Sequence, residues 1–74
     1  MEVRRYTVVF ENAGKDGWGA YVPDLPGCTA GGESFDQTMH AIQKSIELWI
    51  EYATKSGESI PPPSTEALSL SVAV

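Results

Sequence analysis

Cysteine, histidine and positive charge are all scarce in this chain. Cys28 is the one cysteine and His40 the one histidine, so no intrachain disulfide can close and a structural zinc site has too few ligands. A reducing cytoplasm is the expected setting. Five Lys and Arg stand against ten Asp and Glu, a formal net charge of -5. Residues 1–33 carry 3 cations against 5 anions and residues 34–74 carry 2 against 5, so neither half is a basic arm. Phosphate binding needs clustered cations, and nucleic acid is therefore not expected as a direct ligand. A basic protein is the better electrostatic match. No apolar run approaches the ~20 residues that cross a bilayer, and the amino terminus has no apolar stretch followed by a small-residue cleavage site. Neither membrane insertion nor export is expected.

What is present is enough for one small domain. The 74 residues are 42% apolar and 20% charged, a globular balance, although a chain of this size buries only ~60% of its unfolded surface. Over residues 3–11, Arg4, Tyr6, Val8 and Phe10 alternate with Arg5, Thr7, Val9 and Glu11, which predicts a strand. The polar, glycine-bearing segment from Asn12 to Gly17 predicts a hairpin turn. A return strand follows over 18–22, with Trp18, Ala20 and Val22 on one side, and Pro23 ends it because proline cannot donate to a ladder. Asp24-Leu25-Pro26-Gly27 predicts a type II turn, proline fixing one dihedral and glycine taking positive φ after it. A third strand over 28–32 completes a meander. Its Gly31 and Gly32 point to a bulge or to a close approach by the next helix.

The helix is expected over residues 35–56. Ser34 and Gln37 have capping-box spacing, and Asp36 complements the dipole in the first turn. Phe35, Met39, Ile42, Ile46, Trp49 and Ala53, with Ile50 beside them, recur on one helical face as a core-facing stripe. Gly57 and then Pro61-Pro62-Pro63 stop the helix. Residues 60–64 read as a rigid connector. Over 67–73 small residues alternate with Leu68, Leu70 and Val72, which predicts a fourth strand reached by a right-handed crossover. The fold class is α+β, a β-β-β-α-β single sheet with one helix on one face.

The chemistry-bearing residues form no catalytic pattern. Asp16, Asp24, Glu33, Asp36, Glu47 and Glu51 show no spacing that would converge two carboxylates on one centre. Cys28 and His40 lack a third, orienting group. Gly31-Gly32 is no phosphate loop, since neither GxGxxG nor a Lys-Ser/Thr pair accompanies it. No enzyme activity, metal or cofactor is expected. Trp49 completes the helical stripe, whereas Trp18 suits a core edge or a partner interface equally. The candidate partner-binding residues are Trp18, Asp24, Leu25 and Pro26, because loops held by a scaffold commonly carry binding residues.

At Tyr21-Val22-Pro23-Asp24-Leu25-Pro26-Gly27-Cys28 the chain resembles the HicB-like antitoxin family. The order of pieces agrees with that family: a first strand at Tyr6 to Glu11, an aromatic second strand, the P-D-L-P-G-C turn, a glycine before a capped helix, and the exit Gly57-Glu58-Ser59-Ile60-Pro61-Pro62-Pro63. The resemblance implies a partial, degenerate ribonuclease-H-like fold without the catalytic acids. It implies an antitoxin of a type II toxin–antitoxin system that neutralises a small basic HicA-type mRNA interferase by protein contact. Many such antitoxins carry a second, DNA-binding domain. Only 10 residues follow Ser64 here, so autoregulatory DNA binding is not expected. The alternative is an orphan protein that self-associates as a dimer or higher oligomer, with a structural or regulatory role and no toxin.

Overall fold

The computed structural model describes residues 2–74. Three short strands and one long helix make up its regular structure: β1 (Val9–Asn12), β2 (Trp18–Tyr21), β3 (Thr29–Gly32) and α1 (Phe35–Lys55). The strands form an antiparallel meander in the order β1-β2-β3, with Val9 opposite Tyr21 and Asn12 opposite Trp18 in the first pair, and Trp18 opposite Gly32 in the second. The class is α+β, as expected.

β1 is shorter than its alternation suggests. Pairing begins at Val9 because its partner Tyr21 is the last residue of β2, and Pro23 offers no donor for an earlier rung. Residues 3–8 therefore keep the side-chain alternation without the ladder. Tyr6, Val8 and Phe10 pack on the core while Glu11 and Arg5 stay exposed.

The hairpin turn is a single 3-10 turn, Gly14–Asp16, opened by Asn12, whose Oδ1 accepts from the Gly14 amide at 2.9 Å. Gly17 closes it at φ +88°, and a Cβ there would collide with the Gly32 carbonyl across the sheet. Gly32 in turn lies so close to α1 that a Cβ would meet Thr38 Oγ1 at 2.9 Å and Gln37 Cβ at 3.1 Å. Gly32 thus serves the close helix approach that the sequence suggests, whereas a Cβ on Gly31 would meet the Trp18 carbonyl of β2 at 3.2 Å.

Ser34 caps α1: its Oγ accepts from the Gln37 amide at 3.1 Å. Gln37 returns its side-chain oxygen to the amide of Glu33 at 2.9 Å, one residue earlier than the usual capping box. The helix ends in a Schellman arrangement, with the Glu58 amide donating to Ala53 and Gly57, at φ +73°, donating to Thr54. Ile42 and Ala53 are buried and Ile46 and Trp49 pack against the core. Phe35 and Met39, both 42% exposed, leave the first two turns of the stripe half open. Thr38, outside the apolar stripe, is fully buried, and its hydroxyl donates to the Ser34 carbonyl at 2.8 Å.

The core proper is small: Ala20, Val22, Leu25, Cys28 and Ile42, flanked by Tyr6, Val8, Phe10, Ala30, Ile46 and Trp49. Beyond it the expected fourth strand is absent. Residues 67–73 pair with no strand among the described residues, and Leu68, Leu70 and Val72 stand 78–83% exposed. The molecule is elongated in consequence. Its radius of gyration is 14.1 Å and its longest extent 48 Å, where a packed chain of this length has a radius near about 11 Å.

Candidate protein-binding surface

The eight residues from Tyr21 to Cys28 fold as two successive turns. The Leu25 amide donates to the Val22 carbonyl at 3.1 Å, and the Cys28 amide donates to the Leu25 carbonyl at 3.0 Å. Gly27 takes φ +77° in the second, directly after Pro26, as a type II turn requires. A further bond from the Val22 amide to the Cys28 carbonyl closes the loop at its base. This double turn swings the Leu25 side chain inward.

That rotation corrects one expectation. Leu25 is fully buried, 0% exposed, so it is a core residue and offers no side chain to a partner. Asp24 is likewise engaged within the chain. Its carboxylate accepts four hydrogen bonds, from the amide and hydroxyl of Ser64 at 2.8 and 3.0 Å and from the amide and hydroxyl of Thr65 at 3.0 and 2.8 Å. The Ser64 amide and the Thr65 hydroxyl and amide hold its carboxyl down at about 2, because donors stabilise the charged form. The Thr65 carbonyl accepts from the Thr7 hydroxyl at 2.6 Å, and Pro61 accepts from the Tyr6 hydroxyl at 2.6 Å. Asp24 is thus the latch that fixes the proline-rich connector to the sheet.

Pro26 is exposed on the outside of the turn, and its carbonyl accepts from Trp49 Nε1 at 2.9 Å, tying the turn to α1. Trp18 lies elsewhere. It opens β2 and packs edge-on to Phe35, with ring centroids 5.4 Å apart, at the N-terminal end of the helix. The structure therefore does not gather Trp18, Asp24, Leu25 and Pro26 into one patch.

A different surface adjoins Pro26. Between the type II turn and the last half of α1 runs a groove of about 380 Å³, lined by Cys28, Leu48, Trp49, Tyr52, Ala53 and Glu58 among others. Leu48 and Tyr52 are 58% and 70% exposed, and they sit one turn apart, so they form one apolar ridge. Glu51 and Glu58 flank it, with Lys55 bridging to Glu51 at 2.9 Å. An apolar centre with a mostly acidic rim is the anatomy of a protein-binding surface. Neither Leu48 nor Tyr52 falls on the core stripe, and two large apolar residues four apart on the polar side of a helix are the signal that marks them in the sequence.

Cys28, in the groove wall and 3% exposed, has its thiol pushed up by burial, which favours the protonated form. Among the described residues no three His, Cys, Asp or Glu side chains converge to hold a metal, and no helix is long and apolar enough to cross a membrane.

Residues 6–71 match the family model described as HicB_like antitoxin of bacterial toxin-antitoxin system. The chain belongs to the HicB-like antitoxin family. It is 30% identical over 73 residues to the UPF0150 protein ssr1765 of Synechocystis sp., an alignment spanning 99% of this chain and 92% of that relative. A second Synechocystis protein, ssl0259, is 30% identical over 61 residues, covering 82% and 84% of the two chains. In three dimensions this HicB-like chain is similar to a chain of the HicA3 and HicB3 toxin-antitoxin complex, with a TM-score of 0.67 and 26% identity over 81% of this chain and 70% of that one.

Proposed function

We propose that this HicB-like protein neutralises a basic, HicA-type mRNA interferase by direct protein contact, acting without catalysis of its own. The observation that carries the reading is the family match over residues 6–71, together with the likeness to a chain from a HicA–HicB complex. The net charge of -5 suits a basic partner, since opposite charges steer encounter and fix orientation. Contact centres on the ridge of Leu48 and Tyr52 with Pro26 beside it, and Glu51 and Glu58 face cations at the rim. Trp18 packs on Phe35 at the other end of α1, away from that ridge.

The test is inhibition of RNA cleavage by a purified HicA-type toxin. The wild-type protein is expected to abolish cleavage at equimolar ratio, and a Leu48→Asp/Tyr52→Ala variant to fail while its helical circular dichroism is unchanged. Cleavage that persists at a large excess of the wild-type protein rules the reading out.

A further inference from the structure

The groove between the type II turn and α1 is braced across both of its walls. Ser45 Oγ donates to the Thr29 carbonyl at 3.1 Å, and Trp49 Nε1 donates to the Pro26 carbonyl at 2.9 Å. The two donors are four residues apart and so share one helical face, and their bonds pin the turn to the helix on either side of Gly27 and Cys28. A cleft held in this way needs little ordering when it is filled. Cys28 and Ala53, both buried, give it a shallow floor, while Leu48, Trp49 and Tyr52 supply aliphatic and aromatic walls.

One negative charge at this socket is left over. Lys55 is engaged with Glu51 at 2.9 Å, and the other ion pair among the described residues joins Arg4 to Glu2. Glu58 lines the groove and has no cationic partner among the described residues. The helix exit sets its place, since the Glu58 amide donates to the Ala53 carbonyl at 2.9 Å. That exit is also the negative end of the α1 dipole, which favours a cation.

We propose that this socket receives one arginine side chain of the basic partner. Its guanidinium meets the Glu58 carboxylate at the mouth, and its carbon stem lies against Leu48 and the rings of Trp49 and Tyr52. The identity of the partner rests on the antitoxin reading, whereas the chemistry of the socket does not. An apolar side chain would fill the same walls but would shield the Glu58 carboxylate from water without giving it a partner, which costs free energy. Arginine suits the site better than lysine, because a guanidinium is weakly hydrated, stacks on aromatic faces and meets a carboxylate through two parallel N–H bonds. The Leu48–Tyr52 ridge then supplies contact area, and the socket supplies selection for one charged residue.

Nuclear magnetic resonance titration of the chain with N-acetyl-arginine amide tests the socket without any toxin, and N-acetyl-citrulline amide is the uncharged isostere. Saturable shifts at the Trp49 indole N–H and the Tyr52 and Glu58 amides are expected with the arginine probe and not with citrulline. Glu58→Gln, an exposed substitution expected to leave the helical circular dichroism unchanged, should weaken arginine binding about tenfold, the effect of removing the charge from a close ion pair. Equal shifts with both probes, no saturable shift with arginine, or a Glu58→Gln variant that binds arginine as the wild type does overturns the proposal.

A second arm separates the socket from the antitoxin reading. Against a purified HicA-type toxin, Glu58→Gln is expected to lose affinity about tenfold, while Glu11→Gln, on β1 at the opposite sheet edge from Thr29, loses clearly less. Equal losses in the two variants overturn the proposal and leave the reading intact. Arginine shifts that saturate in a protein with no affinity for the toxin support the socket and remove the reading.

Discussion

Asp24, in the turn after β2, and Thr65, beyond the proline run, are 41 residues apart in sequence and joined by two hydrogen bonds of 3.0 and 2.8 Å. With the matching pair from Ser64, they make one carboxylate the point where the sheet, the turn and the C-terminal segment meet. An asparagine at this position keeps one acceptor oxygen but turns an amide nitrogen toward donors. Asp24→Asn is therefore expected to lower the urea midpoint and to speed hydrogen exchange at the Ser64 and Thr65 amides, leaving those inside α1 unchanged.

The same latch gives stability a pH signature. The folded carboxyl titrates at about 2, below its ordinary value of 3.8, so its contribution is complete above the ordinary value and is lost as pH falls from there through the folded value. Urea midpoints measured from neutrality down to the acid limit are expected to fall in that window. The Asp24→Asn variant should show a shallower fall over the same range.

Much of this fold is legible in the residues because local chemistry decides it. Ser34 caps a helix wherever it precedes one, Gly57 ends it, and Pro26-Gly27 dictates a type II turn whatever surrounds them. The half-open start of the helical stripe at Phe35 and Met39 is less legible, since periodicity names a face without saying how far the sheet extends beneath it. Leu25 shows the same limit. A loop position suggests contact with a partner, but two consecutive turns rotate its side chain into the core. Alternation over 67–73 identifies strand-forming residues, yet the three-stranded sheet takes up no strand from them. The Asp24 latch was written in no local pattern, because it joins residues brought together only by the completed fold.

Core truncation at the turn should be costly. Leu25 is fully buried among Val22, Cys28 and Ile42, and Leu25→Ala is expected to destabilise by about 2–5 kcal/mol through lost burial and the cavity left behind. Thr38→Val, which keeps the shape and removes one hydroxyl, is expected to cost only about 1 kcal/mol, as the Ser34 carbonyl still accepts from the Thr38 amide. Chemical denaturation of the two variants checks the contrast.

The hairpin glycines should differ in the same way. Gly14, at φ +64°, has open space around its missing Cβ, whereas Gly17, at φ +88°, has the Gly32 carbonyl in the way. Gly14→Ala carries the left-handed backbone cost alone, about 1 kcal/mol. Gly17→Ala adds a backbone clash across β2 and β3 and is expected to exceed it clearly in the same denaturation experiment.

The most direct test of the antitoxin reading is a calorimetric titration of this chain against a HicA-type toxin at about 0.05 M and about 0.3 M salt, concentrations that bracket weak and strong screening. The account predicts a defined stoichiometry with affinity that weakens at the higher salt, and loss of binding in the Leu48→Asp/Tyr52→Ala variant. Absence of heat at micromolar concentrations in low salt, with both proteins folded, contradicts it.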